Sequence, residues 1–405
     1  MKILIVCQYF WPESFRINDV AISLFERGHS VAVLTGKPNY PEGKFYEGYN
    51  IFSKHRETYH GIDVIRVPII PRGTNSWLQL TLNYISFAVF GSIGAILYAR
   101  DDYDAILVYA LSPLTQAIPA FILKLLGRGV FYIWLQDLWP ESLSATGAVK
   151  ASWILRLVGY FAAVIHRNAR LNFISSSGFK QRLEEMGVAP GTIRYLPNYA
   201  EDIYGKSISS VESIKCDAAI PKGFRIMFAG NIGAAQDFPT ILAAAERIKG
   251  HEHIQWIVAG DGRAFSWLKK EIINRDLQKV FHLLGRLPME AMPYWYECAS
   301  VMLVTLRAEP IFALTLPAKV QSYMAAAKPI IAAIDGEAAQ VITQAKCGIC
   351  VCAGDDLALA EAILSLAALD GQELLNMGYN GRQFYDSHFE RWRVITQLED
   401  CMRPA

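Results

Sequence analysis

Charge is scarce in this chain and almost evenly balanced. Asp, Glu, Lys and Arg make up 19% of its 405 residues, and 39 basic against 38 acidic side chains leave a formal charge of +1. A disordered chain would be far more polar, and a dedicated nucleic-acid binder would carry a basic excess, so both classes are excluded. Cysteine is sparse too: seven residues, an odd number, which do not make a secreted disulfide framework. Cys347 and Cys350 form a CxxC with Cys352 close by, but no second Cys/His pair at zinc spacing accompanies them, and the stretch also reads as a buried strand. Gly (29) and Pro (18) are near average, which removes collagen-like and low-complexity classes. No signal peptide is expected, because the apolar run Ile3–Cys7 is too short for one. No GxGxxG follows that run, which argues against a standard dinucleotide-dependent dehydrogenase.

What is present is a repeated alternation of strand and helix. Length predicts two to three domains. In the first half, Ile3–Cys7, Ser30–Leu34, Val64–Val67, Ala105–Val108, Val130–Leu135 and Leu171–Ile174 read as apolar strands, with helices at Asp19–Arg27, Leu114–Leu126 and Trp153–Asn168 between them. The second half repeats the scheme, with strands from Arg225–Ala229 to Gly348–Cys352 and helices such as Pro239–Ile248, Ala264–Asn274 and Val320–Ala326. Nearly all-apolar strands alternating with helices imply parallel sheets covered on both faces, an α/β architecture of two tandem Rossmann-like doubly wound domains. The expected boundaries are 1–198, a linker at 199–222, a second domain at 223–387, and a final helix within 388–405. Ligands of such sheets bind beyond the carboxyl ends of the strands, which places the expected site in the cleft between the domains.

The small net charge conceals an asymmetry. Residues 1–200 carry 19 Lys/Arg and 14 Asp/Glu, a net of +5, and residues 201–405 carry 20 and 24, a net of −4. The basic first half suits anionic lipid or phosphate, or is ordinary scatter. Within it Tyr84–Ala99 carries no charge, yet falls short of the roughly 20 residues of a membrane span. It reads as a helix lying in the membrane interface, or as a core helix of the sheet domain.

Candidate chemistry clusters at strand ends. The loop after the first strand holds Arg16, suited to a phosphate or acidic group, Asn18, read as a helix cap or a binding residue, and the less clear Glu13 and Asp19. Asp137 ends a strand and Glu141 follows it. The pair serves acid/base work or sugar hydroxyls, or caps local turns. In the second half Phe228-Ala-Gly-Asn-Ile-Gly-Ala-Ala-Gln236 and Val258-Ala-Gly-Asp-Gly-Arg263 are two strand–glycine–helix junctions, together a candidate nucleoside-diphosphate site. Arg286 follows another strand. Lys319 falls near a helix start, where the helix dipole opposes a cation and a phosphate ligand would relieve the conflict; the plain alternative is a solvated surface lysine.

As a set, YFWPESFRIND (9–19), RGHSVAVLTGKPNYPEG (27–43), QDLWPES (136–142), LPNY (196–199), FAGNIGAAQ (228–236), AGDGR (259–263), LPAKVQSYMAAAKPI (316–330) and HFERW (388–392) resemble the GT-B glycosyltransferases of family 4 (group 1), closest to the WbuB-like branch. The resemblance implies retaining transfer from a nucleoside-diphosphate sugar, UDP-linked and N-acetylated, to a polyprenyl-diphosphate-linked glycan in O-antigen or capsule assembly. It implies no metal and no cofactor, since fixed cations and helix N-termini can answer the leaving group's charge. It places the enzyme in the cytoplasm, peripheral to the inner face of the plasma membrane, and implies a last helix returning to the first domain. The donor candidates are Asn231, Gly233, Gln236, Gly260, Asp261, Arg263, Arg286, Glu309, Lys319 and Ser322. The acceptor candidates are Asn18, Lys37, Asn39 and Tyr40, and Asp137, Arg16 and Glu141 are the catalytic candidates. Three family positions differ in this chain: Asn231 and Gln236 stand where an Arg and a Lys meet the diphosphate, and Ser322 stands at the second of two glutamates. A sugar-nucleotide 2-epimerase of the same fold and a non-catalytic scaffold of polysaccharide assembly are the alternatives.

Overall fold

Apolar runs of four to eight residues become strands wherever both faces are covered. The computed structural model describes residues 1–53, 55–74, 76–145, 151–204 and 220–403. It divides into two units, Met1–Pro197 with Ile395–Ala405, and Asn198–Val394. Of the expected linker, 205–219 lie outside the described residues.

The first unit is built on eight strands: β1 (Lys2–Val6), β2 (Ser30–Gly36), β3 (Arg56–Tyr59), β4 (Ile62–Val67), β5 (Tyr103–Ala110), β6 (Gly129–Leu135), β7 (Leu171–Ile174) and β8 (Ile193–Tyr195). Their order is β3-β4-β2-β1-β5-β6-β7-β8. All pairings are parallel except β3 with β4. β1 shows why the centre is legible: Ile3, Leu4, Ile5 and Val6 are all fully buried. The sequence reading missed β3 and β8. Arg-Glu-Thr-Tyr at the sheet edge is polar, and a three-residue strand carries no period.

The second unit has six parallel strands: β9 (Phe224–Ala229), β10 (Ile254–Ala259), β11 (Phe281–Gly285), β12 (Val301–Thr305), β13 (Ile330–Ala333) and β14 (Gly348–Val351). Their order is β11-β10-β9-β12-β13-β14, so strand order reverses between β9 and β12. One core lies on each face of this sheet, one including Met227, Met302 and Tyr323 and the other Phe228, Trp256 and Leu303. In each unit the reversal leaves a crevice beyond the strand carboxyl ends, beside β1 and β5 in the first and β9 and β12 in the second.

Helix boundaries required two corrections. The segment expected at Tyr84–Ala99 is a 22-residue helix, Trp77–Tyr98, long and apolar enough by length and composition to cross a membrane. The polar residues Gln79, Thr81 and Asn83 concealed its first turns. Ser76 caps it, its hydroxyl accepting from the Gln79 backbone N–H, and this Ser-x-x-Gln signature was present in the sequence. One face packs on β2, β4 and the helix Ile118–Leu125. Two glycines permit the approach: a Cβ on Gly94 would lie 2.4 Å from Val67, and one on Gly91 would lie 2.9 Å from Pro119. The other face exposes Leu78, Leu82, Ile85, Val89, Ile93 and Leu97. The helix opens at Arg16, rather than Asp19, with Phe15 at the N-cap position and no side-chain capping hydrogen bond, so Asn18 is not its N-cap.

Candidate active site

In the second unit the two glycine junctions are pressed together. Gly230 follows β9 with φ +139°, and Gly260 follows β10 with φ +152°. A Cβ on Gly260 would lie 1.8 Å from the Gly230 carbonyl oxygen, and one on Gly262 would lie 2.4 Å from that of Ile232. Only glycine tolerates both the left-handed backbone and the contact. The Ile232 N–H donates to the Asp261 carbonyl at 2.8 Å, and the Asp261 carboxylate accepts from the Gly262 N–H at 2.7 Å. Asp261 therefore shapes the turn. Asn231 is exposed at the tip, and its amide nitrogen would lie 2.7 Å from a Cβ on Gly233.

Lys319 meets these turns from the helix Ala318–Ala325. It is half-buried, which corrects the solvated-lysine alternative. Its ammonium lies 3.9 Å from the centre of the Phe228 ring and donates to Gln236 Oε1 at 2.5 Å. A Cβ on Gly230 would be 3.6 Å from its Nζ. Desolvation brings its pKa down to about 7. Gln236 is itself held, its carbonyl accepting from the Thr305 hydroxyl at the end of β12 at 2.5 Å. Lys319, Gln236, Gly230 and Gly260 thus gather at the strand reversal. Arg263 and Arg286 are exposed at the ends of β10 and β11. Glu309 pairs with Arg307 at 3.6 Å. Ser322 is buried and turns its hydroxyl back to the Ala318 carbonyl at 3.4 Å, within its own helix.

In the first unit Asp137 follows β6. Burial raises its pKa against the lowering effect of hydroxyl donors from Ser142 and Ser112. Glu141 is ion-paired with Arg182, whose Nε donates to it at 2.8 Å. That pairing separates its role from that of Asp137. Arg16 opens the helix that follows the β1 loop.

The acceptor candidates are mostly used in holding the loops. Asn18 accepts from the Trp11 N–H at 3.0 Å and donates to the Glu13 carbonyl at 2.7 Å. Lys37 is buried and donates to the Ser53 carbonyl. Asn39 is buried and accepts from the Arg72 N–H at 3.0 Å. Tyr40 keeps its ring half-exposed beside Phe15, with centroids 5.2 Å apart.

Sequence reasoning gave too little weight to Glu13 and passed over Arg72. The Glu13 carboxylate, 1% exposed, accepts from the backbone N–H groups of Asn39 at 2.8 Å, Tyr40 at 2.7 Å and Phe10 at 3.3 Å. Burial pushes its pKa up to about 7 despite those donors. Arg72 stands between a proline and a glycine in a loop with no periodic signal, and its partners come from distant turns.

Residues 223–368 match the family model described as glycosyl transferases group 1. A probable glycosyltransferase, WbjE of Pseudomonas aeruginosa, is 25% identical over 301 residues, 73% of this chain and 74% of that protein. WcaI of Escherichia coli K12, a putative colanic acid biosynthesis glycosyl transferase, is 26% identical over the full length of both. Among solved structures, sucrose-phosphate synthase from Thermosynechococcus elongatus superimposes with TM-score 0.73 at 17% identity over 99% of this chain and 98% of its own. Anabaena HepE in complex with UDP and glucose does so with TM-score 0.69 at 16% identity over 99% of each chain.

Proposed function

We propose that this chain, a group 1 glycosyltransferase with the GT-B fold, moves a sugar from a nucleoside diphosphate to a hydroxyl of a lipid-linked glycan in bacterial surface polysaccharide assembly. The observation that carries the reading is Lys319, a desolvated ammonium beside two touching glycine turns at a strand reversal. Breaking the anomeric bond leaves negative charge on the departing diphosphate. A fixed cation and backbone N–H groups at helix starts stabilise the diphosphate more as its charge grows in the transition state than in the sugar-linked ground state, which lowers the barrier. Arg263 and Arg286 are the further candidates for the phosphates. UDP is the proposed nucleotide, since HepE was solved with UDP. An N-acetylated deoxyhexose is the proposed sugar, and transfer is proposed to proceed with retention and without a metal ion. Asp137 would orient the attacking hydroxyl, its raised pKa suiting it to share a proton with that group. The description of WcaI as a putative colanic acid biosynthesis glycosyl transferase supports a polysaccharide acceptor. The exposed apolar face of Trp77–Tyr98 supports membrane association in the interface plane, because its opposite face is committed to the sheet.

Calorimetric titration with UDP, GDP, dTDP and ADP, with and without EDTA, tests this. The expected result is tight binding of UDP, unchanged by EDTA and weakened about tenfold, ~1.4 kcal/mol, by Lys319→Ala. Failure of all four diphosphates to bind would sink the transferase reading in favour of the scaffold. Product analysis then separates a transferase from an epimerase, which consumes no acceptor.

A further inference from the structure

We propose that Arg72, backed by the rings of Tyr9 and Tyr40, recognises the phosphate or diphosphate that joins a lipid carrier to the acceptor glycan, an inference that rests on the transferase reading above. Three separate turns of the first unit converge on this point: the loop after β1 brings Tyr9 and Phe15, the loop after β2 brings Tyr40, and the loop after β4 brings Arg72. The guanidinium lies 5.7 Å from the Tyr9 ring centre and 5.2 Å from that of Tyr40, and its Nη1 donates to the Tyr9 hydroxyl at 2.6 Å. Tyr9 is buried and stacks on Phe15 with centroids 5.4 Å apart. The Arg72 main chain is also fixed, its N–H donating to Asn39 Oδ1 at 3.0 Å. The Tyr9 hydroxyl and the two ring faces therefore orient the guanidinium, while Arg72, Tyr40 and Phe15 remain half-exposed.

A planar guanidinium fork fixed in place matches two phosphate oxygens, and the adjacent ring faces offer an apolar seat for the C–H face of a sugar. The same loop leads directly into the helix Trp77–Tyr98, whose exposed side begins with Trp77 and continues through Leu78, Leu82 and Ile85. A charged point at the head of a long apolar strip is the complement of an amphiphile with an anionic head. A lipid phosphate fits both parts, whereas a soluble phosphate fits the first alone.

The test uses the full chain saturated with UDP, so that the nucleotide site in the second unit is filled. Farnesyl diphosphate, farnesol and inorganic pyrophosphate are titrated by tryptophan fluorescence. The wild type is expected to bind farnesyl diphosphate at least tenfold more tightly than farnesol. Arg72→Gln should abolish that preference and leave farnesol binding unchanged. Arg72→Lys, which keeps the charge and loses the fork, should retain part of it, and thermal melts of both variants report on folding. An undiminished preference in Arg72→Gln, or in Arg72→Lys alone should the Gln variant not fold, overturns the proposal. Pyrophosphate competing as well as farnesyl diphosphate overturns its lipid part. The initial UDP titration reports separately: no UDP binding defeats the transferase reading, while UDP binding with Arg72-independent farnesyl diphosphate binding defeats the present proposal alone.

Discussion

Lys319 and Glu13 are both desolvated, and both have pKa values moved toward neutrality, from opposite sides. For Lys319 the consequence concerns binding. A diphosphate bound as proposed would favour the charged ammonium, and so would draw a proton onto a group whose pKa is about 7. UDP affinity should fall about tenfold between pH 7 and pH 8.5, with proton uptake visible as a dependence of the binding heat on buffer ionisation enthalpy. For Glu13 the consequence concerns stability. A raised carboxyl pKa means that the folded chain holds the proton more tightly than the unfolded chain does. Its contribution is complete at low pH and declines as pH climbs from about 4.5 to about 7. Glu13→Gln removes that titration, so urea midpoints of wild type and variant should converge or cross over this window, a differential of about 3 kcal/mol. Parallel pH profiles would refute it. Glu13 shows what a sequence conceals at this scale, since its three donors are backbone groups and leave no trace in composition. Lys319 was legible as a cation near a helix start, but not as a half-buried, desolvated one, because Phe228 and Gln236 lie some 80 to 90 positions away.

At the scale of elements, the central strands were legible because a doubly covered strand must be apolar at every position. β3 was not, because an edge strand is selected to be polar. The helix Trp77–Tyr98 is the instructive case. It is apolar nearly all round, so periodicity could not say which face was covered; Gly91, Gly94 and the buried Asn83 and Ser86 decide it. Asn83 accepts from Gln8 Nε2 at 2.6 Å and donates to the Ile70 carbonyl at 2.5 Å, which fixes the helix flat on its sheet. Replacing Ile85 and Ile93 on the exposed face with Glu should leave the melting temperature within about 2 °C while lowering co-sedimentation with anionic lipid vesicles severalfold. Unchanged co-sedimentation would refute the proposed membrane contact of this face.

For the whole molecule, the two units differ in how their chain is assembled. The second is one continuous stretch, whereas the first takes in Met1–Pro197 and then Ile395–Ala405. The sequence reading expects a final helix within 388–405; the observed helix is Arg391–Met402. Its residues Ile395, Leu398 and Met402 are fully buried. Glu399 pairs with Arg27 at 2.5 Å, and Gln397 donates to the Tyr195 carbonyl at 2.8 Å. Truncation after Val394 should therefore lower the melting transition of the first unit, with several kcal/mol lost from three vacated apolar sites, and leave nucleotide binding by the second unit in place. A single unshifted transition would show that the segment contributes little.

That late segment also sets an order of events during synthesis. Residues 1–197 are synthesised before Asn198–Val394, so the first unit lacks three buried apolar side chains and the Glu399 partner of Arg27 until residues 395–402 follow. Translation of Asn198–Val394 occupies roughly 10–40 s at ordinary elongation rates. Throughout that interval the apolar helix Trp77–Tyr98 belongs to an unfinished domain, so the nascent chain can meet a lipid surface or a chaperone before its own fold is sealed.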